Sequence, residues 1–332
     1  MNIINNHGTK INILGIPADR GRWLLIPLGM TILLCLGSVY SWSIFRTPLE
    51  KELGISASAS LLPFTFILVF YAAVMPIAGF YIPRIGTRLM TAVGGMIVGL
   101  GYILSSFATN VTTLVMKLPP QGWHPRQNMA NSTSILASSY PKNLLRSRSF
   151  YGLWICYVIG TLVGLSAIGI SSTVGEEIIN IDPTVAASSV SLFALFNGVS
   201  RPLFGWLVDR FKPHYIAILS YVLILIACIL MVNAQTGQVG NYLIAFCLFW
   251  FCLGGWLAMA PTITLGFFNP EQYAQNYGIV FTAYGVGALI GTLATGRIRD
   301  LFGTYTYVFY PMAFLAMIGI IVACFLLKKE RF

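Results

Sequence analysis

One charged side chain lies deep inside an otherwise uncharged, apolar stretch of this sequence. Residues 183–208 contain a single charge, Arg201, which lies eight residues before Asp209. On a helix this separation is about 12 Å, and a charge that deep in a membrane costs about 2.5–3.5 kcal/mol unless it has a partner or a wet cavity. A guanidinium stays charged and can hold a carboxylate with two hydrogen bonds, and Asn197 lies one turn away on the same face. The pair predicts a binding site for a small organic anion; the alternatives are snorkelling to the lipid headgroups or a structural pairing with a helix end.

Other reactive side chains are too dispersed to form a site. The six cysteines lie in apolar stretches without metal-ligand spacing, and the three histidines lie in polar segments. No pair of acids shares an apolar stretch, no Ser, His and Asp set suggests hydrolysis, and no Gly-x-x-x-x-Gly-Lys loop is present to bind a nucleotide. The sequence therefore predicts no metal, no cofactor and no catalytic residue, which is typical of a protein that is not an enzyme.

The composition is that of a membrane protein. Hydrophobic types make up 57% of the 332 residues and charged types only 9%, against about 25% in soluble domains. This excludes a soluble enzyme, a disordered protein and a nucleic-acid-binding domain, although the net charge is +10. Uncharged stretches of about 20 residues or more predict nine spans and an all-α, multi-pass protein of the cell membrane. They lie within 23–45, 53–83, 89–116, 149–175, 183–208, 215–232, 242–270, 272–296 and 301–327.

The positions of Lys and Arg predict which ends of the spans face the cytoplasm. The N-terminal tail (1–22), the basic linker 117–148 and the C-terminal tail (328–332) are predicted to be cytoplasmic, whereas residue 109 is predicted to lie outside. Residues 110–116 would reach only about 10 Å as a helix, which is far too short to cross. An odd number of spans is therefore missing near this point. Nine crossings would place the two basic tails on opposite sides of the membrane, so one loop must lie on its disfavoured side or one helix must fail to span. We expect this conflict at 109–148.

An internal repeat indicates how many spans are missing. Gly79-Phe-Tyr-Ile-Pro-Arg84-Ile-Gly86-Thr-Arg88 follows the second span, and Gly205-Trp-Leu-Val-Asp209-Arg210-Phe-Lys-Pro-His214 follows the fifth, at an offset of 126. At the same offset, Ile55-Ser-Ala-Ser58 and Ile181-Asp-Pro-Thr184 precede these two spans. Parallel repeats of this kind form the two halves of some transporters. The first half, 23–116, then has three spans and the second, 149–327, has six, so three spans are missing.

The repeated segments resemble the loop motif of the major facilitator superfamily, roughly Gly-x-Leu-x-Asp-Arg-x-Gly-Arg-Arg. The second copy matches at Gly205, Leu207, Asp209 and Arg210. The first copy keeps Gly79, Arg84, Gly86 and Arg88 and has Pro83 where the family has Asp. The resemblance implies a bundle of two six-helix halves and a role for these loop residues in gating.

Further stretches resemble the oxalate/formate antiporter branch of that family. They are Tyr40-Ser-Trp-Ser-Ile-Phe45, Asn197-Gly-Val-Ser-Arg201-Pro-Leu-Phe-Gly205, Asn276-Tyr-Gly-Ile-Val-Phe-Thr-Ala-Tyr284 and Lys117-Leu-Pro-Pro-Gln-Gly-Trp123. The last resembles the segment after the sixth helix, so the join at Met116–Lys117 implies that helices four to six are absent. The resemblance also implies that Arg201 holds the substrate carboxylate.

Tyr284 corresponds to a lysine of the oxalate/formate exchangers. It is a neutral hydrogen-bond donor at a depth close to that of Arg201. With one fixed cation rather than two, such a site fits a monocarboxylate better than a dianion. Four further aromatic side chains are predicted to wall the cavity, although each also suits helix packing or an interface anchor: Tyr40, Trp42, Trp256 and Tyr277.

Two functional hypotheses follow. The first is a secondary antiporter or symporter of small organic anions, such as monocarboxylates, formate or oxalate, that works by alternating access. Its partners are the anion and the lipid bilayer, with neither nucleotide nor nucleic acid. The second is a non-transporting truncated remnant, or partial gene model, of such a carrier. Because part of the cavity wall is absent, we expect that the chain alone does not catalyse coupled transport unless a homo-oligomer closes the cavity.

Overall fold

The computed structural model of the protein describes residues 12–13, 16–17, 37–105 and 144–327. The chain divides into two compact units, Met1–Trp42 and Ser43–Phe332. In the described part of the first unit, strand β1 (Asn12–Ile13) pairs antiparallel with strand β2 (Ile16–Pro17), and a 3-10 turn follows at Gly37–Ser41. The predicted join at Met116–Lys117, most of the basic linker and the tail 328–332 lie outside the described residues.

Eight of the stretches predicted from the sequence coincide with helices, whereas the described part of the first stretch, 23–45, enters a helix only at Trp42. The described residues form nine helices in all. They are α1 (Trp42–Leu53), α2 (Ala57–Ile85), α3 (Thr87–Ser105), α4 (Arg148–Val174), α5 (Pro183–Arg210), α6 (Pro213–Val232), α7 (Val239–Phe267), α8 (Tyr273–Phe302) and α9 (Phe309–Leu326). A π turn, Gly175–Ile179, extends α4, and 3-10 turns precede α8 (Pro270–Gln272) and α9 (Tyr305–Val308). The all-α class is confirmed, with three helices in the first half and six in the second.

Seven of these nine helices, α2 and α4–α9, are long and apolar enough to cross a membrane. Helix α3 contributes a shorter apolar segment, Leu89–Gly101. Helix α1 has only 12 described residues, and most of the predicted first span, 23–45, lies before it. The described part of the chain therefore supports seven full crossings, and most of the predicted first span lies outside the described residues.

Helix α1 extends past the first predicted span, 23–45, into a charged segment that begins at Arg46. The helix continues through this segment to Leu53. Arg46 is fully buried, and its Nη2 atom pairs with Glu50 Oε1 one turn later at 2.7 Å. The helix can continue because the charge is neutralised within it, so that no loop is needed to bring the guanidinium to water.

The internal repeat is visible in the positions of the helices. Helices α2 and α5 begin at Ala57 and Pro183, which are 126 residues apart, and α3 and α6 begin at Thr87 and Pro213, again 126 apart. The caps repeat as well. Ser56 Oγ accepts the amide of Ala59, and the Asp182 carboxylate accepts the amide of Thr184, which satisfies amides that have no partner inside the helix.

Small residues allow the helices to pack closely. Helix α8 lies between α2 and α4, and α7 packs against α4, α5 and α6. Gly285 of α8 faces Ala72 of α2, whereas Gly287 and Gly291 face α4. A Cβ atom at either of the last two would overlap the backbone of α4, so the Gly-x-x-x-Gly pair sets this close approach.

Candidate functional site

Arg201 lies on α5 with its side chain partly buried. Its Nη2 atom donates to Asn197 Oδ1 at 3.2 Å, while its Nε atom is buried and makes no hydrogen bond within the described residues. The next residue, Pro202, has no N–H, so the carbonyl of Gly198 loses its helical partner. The guanidinium lies beside the neutral amide of Asn197 and therefore has donor capacity left for an acceptor.

Asn197 has both ends of its amide engaged. Its Oδ1 atom accepts from Arg201, and its Nδ2 atom donates to the backbone carbonyl of Trp250 on α7 at 2.9 Å. Gly254 on α7 allows this approach, because a Cβ atom there would overlap the carbonyl of Asn197 and the hydroxyl of Ser200. Asn197 is 4% exposed. Its amide thus links Arg201 to the α7 backbone, and the predicted contact of Asn197 with a substrate stays a prediction.

Tyr277 and Tyr284 belong to one aromatic cluster on α8. Phe281 joins them, with ring centroids 5.7 Å from Tyr277 and 4.9 Å from Tyr284. Tyr71 of α2 packs edge-on against Phe281 and Tyr284 at 5.0 and 5.9 Å, which brings the first half of the bundle to the cluster.

Trp256 occupies the interior of the second half. It is fully buried between Tyr157 of α4, 6.3 Å away between ring centroids, and Tyr221 of α6, 5.5 Å away. Its indole packs on Gly160, and its Nε1 atom makes no hydrogen bond within the described residues. Tyr40 and Trp42 are partly buried and belong to the first unit of the chain.

The loop-motif residues lie at the end of α2 and α5 that carries the basic loops. Gly86 ends α2 with φ +85°, a conformation that favours glycine, and its amide donates to the carbonyl of Ile82. At the end of α5, the guanidinium of Arg210 lies 5.7 Å from the ring centre of Trp206, and Asp209 is exposed. The side chains of Arg84 and Arg88 lie outside the described residues.

The sequence reasoning missed Tyr71, Phe281 and Tyr157, the residues that connect the aromatic cluster across α2, α8 and α4. Their only sequence signal is an aromatic residue in an apolar stretch, which does not distinguish a site from packing. Within the described residues, no group of three or more His, Cys, Asp or Glu is placed to hold a metal ion.

The sequence profile of the Major Facilitator Superfamily matches residues 153–332, which is more than half of the chain. The chain belongs to the major facilitator superfamily. It is accordingly a multi-pass secondary transporter of the cell membrane and not an enzyme. A small-molecule substrate and a lipid environment follow from this membership.

Two relatives match over most of this chain and over most of their own length. An oxalate:formate antiporter of Oxalobacter formigenes is 21% identical over 389 residues, covering 93% of this chain and 92% of the relative. The uncharacterized MFS-type transporter YhjX of Escherichia coli strain K12 is 20% identical over 349 residues, covering 82% and 87%. Both alignments are longer than this 332-residue chain, so each relative has residues with no counterpart in the chain.

The fold resembles a solved structure of the same superfamily. A bacterial homolog of the human lysosomal transporter Spinster, in an inward-facing and occupied conformation, matches with a TM-score of 0.52 and 13% identity. The match covers 90% of this chain and 96% of the other. At this identity the similarity concerns the fold alone.

Proposed function

We propose that this transporter carries small organic anions through Arg201. The observation that supports this most directly is the unused capacity of the guanidinium: its Nε atom is buried without a hydrogen-bond partner, and its one bonded neighbour is the neutral Asn197. A buried donor left without an acceptor is unfavourable, and a carboxylate supplies the missing acceptor in a planar, two-bond geometry. The relative named as an oxalate:formate antiporter supports the same class of substrate.

Asn197 takes the role of a positioning residue in this proposal. Its amide connects Arg201 to the α7 backbone, so it fixes the guanidinium relative to two helices. Tyr284 supplies a hydroxyl at a similar depth, inside the cluster that also contains Tyr71 and Phe281. Arg46, which is fully buried, is neutralised by Glu50. One free cation favours a monocarboxylate, with formate or lactate ahead of oxalate.

Uptake and exchange of labelled formate, lactate and oxalate by purified protein in liposomes test the proposal. Arg201→Ala should abolish saturable exchange, and Arg201→Lys should weaken it markedly because an ammonium lacks the planar pair of donors. Tyr284→Lys should shift preference toward oxalate by adding a second cation. Arg297→Ala, which removes an exposed charge from the outer part of α8, is the matched control. Equal exchange by the unaltered protein and Arg201→Ala would refute the anion site.

A second candidate is the non-transporting remnant, and the exposure of α5 favours it. Only 28% of the most apolar stretch of α5 is buried, the smallest share among the seven crossing helices. The same liposome assay separates the two candidates when it includes a chain with three helices inserted after Met116. Exchange by the extended chain alone would support the remnant, whereas Arg201-dependent exchange by the 332-residue chain would support transport by the protein as it stands.

A further inference from the structure

Polar contacts between the two halves concentrate at one end of the bundle. We call this the outer end: it is where α2 begins and α8 ends, opposite the basic loop at Asp209–His214. The charge distribution predicts that this end faces the outside. The two ion pairs of the described residues, Arg46–Glu50 and Arg299–Glu177, both lie there. At the other end of the α2–α8 contact, the small residues Gly79 and Gly278 face backbone atoms.

Arg46 connects the first half of the bundle to the second. Within the first half, its Nη2 atom pairs with Glu50 and its Nε atom donates to Ser60 Oγ at 2.8 Å. Across the interface, its Nη1 atom donates to the carbonyl of Gly169 on α4 at 3.0 Å, and Nη2 also donates to the hydroxyl of Tyr305. The guanidinium lies 5.5 Å from the centre of the Tyr305 ring.

Asp300 makes a second connection, from the second half of the bundle to the first. Its carboxylate, at the end of α8, accepts the backbone amides of Ala57 and Ser58 at 3.1 and 3.2 Å and also the hydroxyl of Ser58. These amides are among the first of α2 and have no partner inside that helix, and the positive end of the helix dipole favours a carboxylate there. Ser43 and Ser171 add a hydrogen bond of 3.0 Å between α1 and α4.

The charges are balanced within each half separately. In the first half, Arg46 keeps Glu50 one turn away on the same helix. In the second half, Arg299 keeps Glu177 at 2.8 Å, and Glu177 also accepts the amide of Tyr305. When the halves separate, neither arginine loses its carboxylate. Asp300 is exposed and becomes hydrated, and α2 keeps its Ser56 cap. The contacts between the halves can therefore break and re-form without leaving an unpaired buried charge.

We propose that Arg46, Asp300 and Tyr305 form an outer gate that holds the extracytoplasmic side of the transporter closed and releases as the cavity opens outward. Opening the gate breaks hydrogen bonds across the interface and leaves both ion pairs intact, because each pair lies within one half. Across the interface, the carbonyl of Gly169 accepts from Arg46 and the hydroxyl of Ser58 donates to Asp300. The proposal depends on alternating access and not on the identity of the anion.

Double electron–electron resonance, which measures the distance between two spin labels, tests the gate in the full chain. Labels are placed at Leu53 and Leu301, exposed residues at the ends of α1 and α8, on a background with the native cysteines replaced by alanine. Arg46→Gln and Asp300→Asn should each add a longer-distance population, and the double variant should make it dominant. Tyr305→Phe removes one hydroxyl and keeps the ring, so it should add a smaller long-distance population in a folded protein.

Arg297→Gln is the matched control, because it removes an exposed charge from the same end of α8 and should leave the distances unchanged. Unchanged distances in all three gate variants would overturn the proposal. Failure of Tyr305→Phe to fold would also overturn it, because the contact would then be needed for folding rather than for closure. The measurement requires no transported substrate, so a negative result in the anion assay does not affect it.

Discussion

Gly79 and Gly205 occupy the same position of the internal repeat, 126 residues apart, and their surroundings differ completely. A Cβ atom on Gly79 would lie 2.5 Å from the carbonyl oxygen of Ala274, because α2 and α8 approach backbone to backbone there. A Cβ atom on Gly205 would meet nothing within 4 Å. Equivalent glycines thus lie in a tight contact in the first half and in open space in the second.

Other pairs along α2 and α5 repeat the contrast. Thr65 is buried and hydrogen-bonded to Thr292 at 2.6 Å, whereas its equivalent, Ser191, is exposed. Ala72 packs on α8, whereas its equivalent, Gly198, has open space around it. Helix α5 therefore carries the same kind of small-residue face as α2, and within the described residues no helix packs on that face. By the repeat, the helix that would face α5 is the first-half equivalent of α8, the fifth helix, which is one of the three predicted to be absent.

The largest expected effect comes from enlarging the two glycines. Gly79→Leu should destabilise the protein by about 3 kcal/mol, because backbone atoms on α8 cannot move aside for the side chain. Gly205→Leu should leave the thermal denaturation midpoint in detergent unchanged. With three helices inserted after Met116, Gly205→Leu should become damaging as well. Equal losses for the two variants of the 332-residue chain would contradict the contrast between α2 and α5.

The second-largest difference is expected between Arg46 in the first half and Arg201 in the second. Arg46→Met should lower stability by about 3 kcal/mol, the low end for breaking a buried pair, because Glu50 is 22% exposed and partly hydrated. Arg201→Met should change stability by less than about 1 kcal/mol. It removes a guanidinium that makes one hydrogen bond, and it leaves only the Asn197 Oδ1 atom without that donor. Denaturation of both variants in the same detergent measures the difference. A larger loss for Arg201→Met would mean that α5 has a partner for this charge.

Accessibility from the lipid phase should differ between equivalent positions. A cysteine at Gly198 should react readily with a membrane-soluble thiol reagent, whereas one at Ala72, which is 3% exposed, should react slowly. Labelling rates measured by mass spectrometry compare the two directly. Protection of both cysteines in the 332-residue chain would show that something covers α5 in the membrane.

The smallest expected effect concerns the caps of the two helices. The pKa of Asp182 lies below its ordinary value of 3.8, because the carboxylate accepts the backbone amide of Thr184. A lowered pKa stabilises the folded state above that ordinary value, and the contribution is lost as the pH falls through the lowered pKa. Asp182→Ala should therefore slightly increase hydrogen exchange in the first turn of α5 at neutral pH, and the difference from the unaltered protein should vanish in strong acid. A difference that persists unchanged in acid would mean that the charge plays no part in the cap.

The order of the helices and the repeat could be predicted because span length and offset are local properties of the sequence. Helices α2 and α5 begin within the repeated segments Ile55–Ser58 and Ile181–Thr184. The position of Arg201 inside a long apolar helix could be predicted for the same reason, and its depth in the membrane stays a prediction. The burial of Arg46 could not, because its partners Gly169 and Tyr305 come from segments 123 and 259 residues away. The predicted wall residue Trp256 packs inside the second half, because an aromatic residue in an apolar helix gives no sign of the side on which it lies.

The Thr65–Thr292 hydrogen bond also has a consequence for how the chain is made. Its two partners are 227 residues apart, so at about 5–20 residues per second α2 leaves the ribosome on the order of ten seconds or more before α8 exists. During that interval the Thr65 hydroxyl has a partner of its own, the carbonyl of Leu61 at 2.9 Å. Once α8 is made, the Thr292 hydroxyl likewise has the carbonyl of Ala288 at 2.7 Å. Each helix can therefore enter the bilayer with its threonine already satisfied and find the other late in synthesis.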